Sequence, residues 1–87
     1  MEYNRTIELA ILKFLRVRIG QRLTPDALYK EIIKTCPVTE EGFSVMLRIL
    51  EMEELIATLH EDDKPLEIKE ILNITKDGLK LLREKKQ

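Results

Sequence analysis

The sequence predicts a single α+β domain that is mainly helical and has a small antiparallel sheet with one β-hairpin. Its 87 residues suit one domain, and neither a repeat nor a linker divides residues 1–87. In four segments, apolar residues recur at spacings of three and four, the pattern of helices with one buried face. Residues 55–74 instead hold two β-prone stretches around a polar turn, which predicts the hairpin. The predicted helices are about 4–19, 24–35, 39–53 and 76–86.

The first helix has a recognisable signal at each end. Asn4 is suited to cap its amino end, and Gly20 is suited to a left-handed residue after its carboxyl end. A strand of at most three residues, 21–23, follows, with Leu23 as its one residue for burial. The helix positions expected to face the core are Ile7, Ala10, Ile11, Phe14, Leu15 and Arg18.

The second and third helices each begin after a threonine. Thr24 and Thr39 can accept hydrogen bonds from free backbone amides, and the acidic residues that follow suit the positive end of a helix dipole. Pro37 disfavours helical geometry at the preceding residue, so the second helix should end near Thr35. The positions expected to be buried are Leu28 and Ile32, with Ala27 or Ile33, and then Phe43, Leu47 and Leu50.

The return strand of the hairpin shows alternation with one interruption. Ile71 falls out of step, which indicates either a bulge or an exposed apolar residue. Thr75 is placed to cap the last helix, whose Leu79 and Leu82 should turn inward. The alternating strand positions expected to face the core are Leu66, Ile68, Leu72 and Ile74.

Two stretches of this sequence resemble the winged-helix variant of the helix-turn-helix, in particular MarR- and PadR-like regulators. Residues 43–56, FSVMLRILEMEELI, look like a recognition helix running into the first wing strand, and residues 72–79, LNITKDGL, look like the wing exit. The resemblance implies that Thr75 caps the last helix and that Gly78 lets this helix pack closely. Many relatives have glycine where this chain has Glu54, so we expect a differently closed helix end or local backbone strain there.

Composition argues against membrane, secretory and catalytic roles. No apolar run approaches the roughly 20 residues of a membrane helix, and the amino end lacks the layout of a signal peptide. A single cysteine, Cys36, suits a reducing compartment, and we expect a cytoplasmic protein. His60 is the only histidine and is interpreted as a half-exposed strand residue, and the glycines are isolated. We therefore expect no enzyme, metal site, cofactor or small-molecule substrate.

Charge is distributed unevenly along the chain. Residues 1–23 carry +3, residues 24–75 carry −7 and residues 76–87 carry +3. Residues 39–54, which comprise the predicted third helix and the residue after it, carry −4, and the hairpin turn is acidic as well. The resemblance implies DNA binding, with the third helix in the major groove. Acidic groups on that helix and on the wing should instead repel phosphates.

Three functional hypotheses follow. A small DNA-binding transcription regulator is preferred, and a winged helix that binds another protein is the close alternative. The third is nucleic-acid binding through the basic ends of the chain. The third-helix residues expected to contact DNA or a partner are Ser44, Val45, Arg48 and Ile49. The alternative basic surface consists of Lys13, Arg16, Lys76, Lys80 and Arg83.

A homodimer is a further expectation, because small winged-helix regulators commonly pair through their terminal helices. Leu12 lies off the main apolar stripe of the first helix, and Leu81 lies off that of the last. If both are exposed, they form a modest apolar patch near Tyr3 that suits a symmetric interface. A monomer is the alternative.

Overall fold

A computed structural model describes residues 5–64 and 67–85, and these form the predicted α+β arrangement. Its elements are α1 (Arg5–Arg16), α2 (Pro25–Ile32), α3 (Glu40–Met52), β1 (Ile56–His60), β2 (Ile68–Ile74) and α4 (Lys76–Lys85). The strands β1 and β2 pair in antiparallel fashion, and Leu23 adds an isolated bridge to Ile71. The short strand predicted at 21–23 is thus reduced to one bridging residue.

Two helices end earlier than the sequence predicted. After α1, the amide of Arg18 donates to the carbonyl of Leu15 at 3.0 Å, so residues 17–20 form turns instead of a further helical turn. Gly20 has φ +87°, which confirms its left-handed conformation. After α2, the amide of Thr35 donates to the carbonyl of Ile32 at 3.1 Å, and turns again replace the last predicted helical residues. The predicted cap Asn4 and the strand position Leu66 lie outside the described residues.

All three predicted threonine caps are present. The hydroxyl oxygens of Thr24, Thr39 and Thr75 accept from backbone amides three residues later, at 3.1, 3.0 and 3.1 Å respectively. Each bond satisfies an amide that the first turn of a helix leaves without a helical partner. These caps place the starts of α2, α3 and α4.

The core is built from all four helices and the hairpin. Its buried apolar residues are Ile7, Ile11, Leu12, Leu15, Leu28, Ile32, Phe43, Met46, Leu47, Leu50, Leu55, Ile56, Ile71, Ile74 and Leu82. The predicted inward positions of α3 and most of those on α1 are confirmed. Arg18 is half-buried, with its guanidinium carbon 3.8 Å from the centre of the Phe14 ring. In α2, Ala27 is half-buried and Ile33 is exposed.

Two helices bury a wider arc than their apolar stripes indicated. Leu12, predicted to help form an exposed dimer patch, is fully buried, and Leu81 packs partly against the core. The patch built on both leucines is therefore wrong. The reason is that α1 contacts α2, α3, α4 and β2, so a single stripe underestimates its covered surface. Met46 of α3, which lies outside the predicted stripe of Phe43, Leu47 and Leu50, is buried for the same reason, and Glu8 of α1 is buried beside Arg5.

A bulge determines which residues of β2 reach the core. Ala57 pairs with Asn73 and Thr58 pairs with Ile71, so Leu72 is the extra residue of the ladder. Ile71 is fully buried, whereas Leu72 is half-buried. The bulge interpretation of the broken alternation is confirmed, and the expectation that Leu72 occupies the buried position is wrong. A bulge shifts the phase of every later side chain, which is why simple alternation failed here.

Candidate nucleic-acid interface

The outer face of α3 is exposed opposite its buried stripe. Ser44, Val45 and Arg48 are exposed, as predicted, and Ile49 is half-buried. Val45 retains 37% of its surface and Met52 retains 77%. The side chains that the sequence assigned to a ligand thus lie on the solvent side of the helix, with Ile49 at its margin.

A shallow groove runs beside this face. It is lined by the start of α2, the middle of α3 and the start of β2, through Pro25, Ser44, Leu47, Arg48, Glu67 and Ile68. The groove therefore combines an apolar floor with a hydroxyl, a guanidinium and a carboxylate at its edges. Arg48 offers five N–H donors in a planar fork, Ser44 can donate or accept, and Val45 outside the groove offers methyl groups. These are groups that can read base edges in a major groove.

Two cations on other segments, one in the 21–23 stretch and one on α2, are paired with carboxylates. Arg22 Nη2 lies 2.6 Å from Glu70 Oε1 on β2, and Lys30 Nζ lies 3.3 Å from Asp26 Oδ2 on α2. The second pair is well exposed on both sides, so it is weak and its lysine can exchange partners. The turn after β1 presents Asp62 and Asp63 to solvent, and Glu61 beside them is half-buried. Arg48 is therefore the principal cation of the outer face of α3.

The alternative basic surface is divided between two helices. Lys76, Lys80 and Arg83 are exposed and share one face of α4, at spacings of four and three. No ion pair among the described residues involves them. On α1, Arg16 is half-buried, and Lys13 lines a groove towards α2 together with Glu31. Although α1 packs on α4, Lys13 belongs to the α1–α2 side.

The wing, as we call the β1–β2 hairpin, is tied to α3 by a polar cluster that sequence reasoning missed. Glu51 Oε2 accepts a hydrogen bond from Thr58 Oγ1 and is in hydrogen-bond contact with His60 Nε2. Burial acts to raise the pKa of Glu51, but the bonds from Thr58 and His60, together with the charges of His60 and Arg48, outweigh burial and lower that pKa. His60 is half-exposed, as predicted, yet its contact with α3 depends on helix–strand packing.

The junction between α3 and the wing contains a strained residue. Glu54 has φ +59°, a left-handed conformation that glycine adopts more easily. Thr75 closes the junction: its hydroxyl donates to the Glu54 carbonyl at 2.7 Å and its amide to the Leu55 carbonyl at 3.1 Å. A Cβ on Gly78 would lie 2.4 Å from the Leu55 carbonyl oxygen, so α4 packs directly on this junction. The strain expected at Glu54 and the close packing expected at Gly78 are both confirmed.

The described residues contain neither a candidate metal site nor a candidate membrane-spanning helix. Within 5–64 and 67–85, no group of three His, Cys, Asp or Glu side chains is placed to hold a metal ion. Cys36 is a half-buried free thiol. In the same part of the chain, no helix is both long and apolar enough to span a bilayer.

Comparison with known proteins identifies the fold. Neither the models of protein families nor the curated protein sequences give a match. Among solved structures, F93 from STIV, described as a winged-helix DNA-binding protein, is 24% identical with a TM-score of 0.71, covering 95% of this chain and 86% of F93. A PadR family transcription regulator from Clostridium difficile is 19% identical with a TM-score of 0.71, covering 93% of this chain and 83% of the regulator.

A mutant of MepR from S. aureus is also similar, at 21% identity and a TM-score of 0.69. The match covers 93% of this chain and 55% of MepR, so the chain spans about half the length of that protein. Identities below 25% establish a shared fold alone, and that fold is the winged helix named in the description of F93. The chain is an α+β winged helix-turn-helix domain.

Proposed function

We propose that this chain is a transcription-regulator module that binds duplex DNA with α3 in the major groove. The observation that carries the proposal is the exposed outer face of α3, where Ser44, Val45 and Arg48 lie together opposite the buried stripe. Support comes from the structural neighbours, two of which are described as a DNA-binding protein and a transcription regulator. These descriptions favour DNA over a protein partner. The proposed role is binding, without catalysis.

Each outer residue has a defined chemistry towards base pairs. Arg48 can donate two hydrogen bonds to O6 and N7 of guanine, and Val45 can contact the methyl group of thymine. Ser44 can bond to a base or a phosphate. Ile49 is half-buried and supports the helix from the margin of this face. We therefore expect recognition to depend on Arg48 more than on any other residue of α3.

The charge distribution predicts weak binding to non-specific sequences. Phosphate contacts supply most of the non-specific affinity of DNA-binding proteins. Here the outer face of α3 has Arg48 as its principal cation, and the wing turn is acidic. Lys30 can add a phosphate contact by leaving its exposed partner Asp26. A low non-specific background makes base readout a large share of the total affinity.

A binding assay with paired charge reversals tests this proposal. Duplexes selected from a randomised pool are titrated with protein at several salt concentrations, with fluorescence anisotropy as the readout. We expect Arg48→Glu to weaken binding by at least about 100-fold, because it removes a base contact and adds repulsion. The matched double variant Lys80→Glu/Arg83→Glu should bind nearly as well as the unmodified protein.

The other outcomes of the assay point to the alternatives. Loss of binding in the Lys80/Arg83 double variant alone would place nucleic acid on the basic surface of α4. If the unmodified protein selects no duplex from the randomised pool, the proposal is contradicted and a protein partner is favoured. Pairing of two copies through the terminal helices stays a prediction, now without Leu12 in its interface, and analytical ultracentrifugation tests it. A reducing cytoplasm, in which Cys36 remains a thiol, fits the proposed role.

A further inference from the structure

The far half of β1 contacts α3 through polar side chains. Ile56 is buried, and the next two residues at alternate positions, Thr58 and His60, are half-buried. Both reach the same oxygen, Oε2 of Glu51, in the last turn of α3. Where apolar packing along β1 ends, one carboxylate therefore joins the helix to the strand.

The strand ladder is irregular at the same level of the wing. The register between β1 and β2 shifts between Ala57 and Thr58, and again between Leu59 and His60. Such irregularities bend a hairpin and increase its local twist. The inter-strand hydrogen bonds alone therefore do not fix the inclination of the far half of the wing to α3, and the buried Ile71, opposite Thr58, holds that half from the β2 side. The contacts to Glu51 supply the additional constraint.

The near end of the wing is closed independently of Glu51. There, the hydroxyl and amide of Thr75 donate to the carbonyls of Glu54 and Leu55. Ile74, which pairs with Ile56, is buried beside this junction. Ile71, which pairs with Thr58 further along the hairpin, is also buried and forms a bridge with Leu23. A substitution of Glu51 should consequently leave the fold in place and act on the far half of the wing.

We propose that Glu51 is a positioning residue that sets the inclination of the wing to α3 through Thr58 and His60. The inference rests on the proposed function, in which α3 binds duplex DNA, and adds that the orientation of the wing beside α3 affects the fit to that duplex. Hydrogen bonds to an ionised carboxylate are short and directional, so two of them on one oxygen restrict the angle between helix and strand. When the link is lost, the wing samples orientations that fit the duplex less well.

The charged groups around the link connect it to both parts of the proposed interface. On α3, the charge of Arg48 acts on Glu51. On the wing, His60 lines a shallow groove together with Leu59, Glu61, Asp62, Asp63 and Lys69. Glu51 thus lies between the base-reading arginine and the acidic turn. Protonation of Glu51 at low pH should loosen the wing, and the Glu51→Gln variant should remove this pH dependence.

Nuclear magnetic resonance measures the inclination without any DNA. Residual dipolar couplings of the β1 and β2 amides are compared with those of α3 in the unmodified protein, Glu51→Ala and Thr58→Val. We expect the α3 couplings to persist and the 58–60 couplings to change or shrink in both variants. Glu53→Ala is the matched control, because Glu53 is an exposed carboxylate two residues further along the chain. Unchanged 58–60 couplings in Glu51→Ala would overturn the inference.

DNA affinity gives a second readout with an electrostatic control. Removing any acid near the interface should strengthen DNA binding through charge alone. Glu53→Ala should therefore bind equally or slightly better, whereas Glu51→Ala should bind about fivefold more weakly. Glu51→Gln keeps an acceptor for Thr58 and should fall between them.

The outcomes separate the inference from the proposed function. If the unmodified chain binds DNA and Glu51→Ala binds as tightly as Glu53→Ala, the positioning role in DNA binding is refuted and the proposed function stands. If the unmodified chain binds no duplex, both fail as statements about DNA. The dipolar couplings then still decide whether Glu51 sets the wing.

Discussion

The two ends of the wing are attached to the helices by different means. At the near end, Ile74 is buried, and Gly78 of α4 leaves no room for a Cβ against the junction. At the far end, Glu51 holds two polar side chains of β1, and the turn beyond them is acidic. Close apolar packing secures the near end, and directional polar contacts orient the far end.

This difference separates stability from function within one hairpin. Apolar burial contributes in proportion to the area removed from water and is insensitive to small angular changes. A carboxylate with two hydrogen bonds contributes less free energy but restricts angle. Truncation of buried apolar side chains should therefore lower the free energy of unfolding, whereas substitution of the polar side chains at the far end should chiefly alter binding.

The largest effect should come from the bulge in β2, where the near half of the wing meets the far half. Ile71→Ala should lower the free energy of unfolding by about 3 kcal/mol, because it leaves a cavity in the core. Leu72→Ala should cost about 1 kcal/mol, since Leu72 is half-buried. Urea denaturation followed by circular dichroism measures both. Equal losses, or a larger loss at Leu72, would contradict the observed register.

A stabilising effect of intermediate size is expected at the junction between α3 and the wing. Glu54→Gly should stabilise the domain by about 0.5 to 1 kcal/mol, because glycine adopts a positive φ without the steric cost that glutamate bears. Glu53, with φ −86°, is the neighbouring control. Glu53→Gly should destabilise by about 0.5 kcal/mol through the added flexibility of the unfolded chain. Thermal melts of both variants test whether the two signs differ.

The smallest effect should appear in the pH dependence of stability at the far end. The pKa of Glu51 is lowered in the folded chain from its ordinary value of 4.5, so its stabilising contribution is present above pH 4.5. As the pH falls through the folded pKa, the carboxylate gains a proton and that contribution is lost. The difference in stability between the unmodified protein and Glu51→Gln, at most about 1 kcal/mol, should shrink below pH 4.5.

Denaturation curves collected from pH 3 to pH 7 test this dependence. Glu53→Gln serves as the control, because the Glu53 side chain is exposed and forms no ion pair within residues 5–64 and 67–85. A stability difference between Glu51→Gln and the unmodified protein that stays constant over this range would argue against a linked titration of Glu51.

Local signals in the sequence predicted most of the fold. Thr24, Thr39 and Thr75 cap the helices as expected, because capping involves residues only three positions apart. The exposed positions of α3 were also predicted, since Phe43 and Leu47 define its inner face. The contact roles of Ser44, Val45, Arg48 and Ile49 stay predictions, because exposure alone does not identify a ligand.

The errors lie where several elements meet. Leu12 and Met46 are buried because neighbouring elements cover more of α1 and α3 than one stripe indicates. Leu72 was assigned the position that Ile71 occupies, because a bulge changes the phase of β2. The sequence indicated only the negative charge of Glu51 and not its contacts, because its partners lie seven and nine residues away on another element.

The sequence by itself determined the order of elements, the helix starts, the inner face of α3 and the acidic character of α3 and the wing. These properties depend on residue type and short-range spacing, which a linear chain displays directly. Tertiary structure alone decided the width of the buried arcs, the strand register and the link from Glu51 to β1. Those depend on distances between segments, and such distances exist only once helices and strands pack against one another.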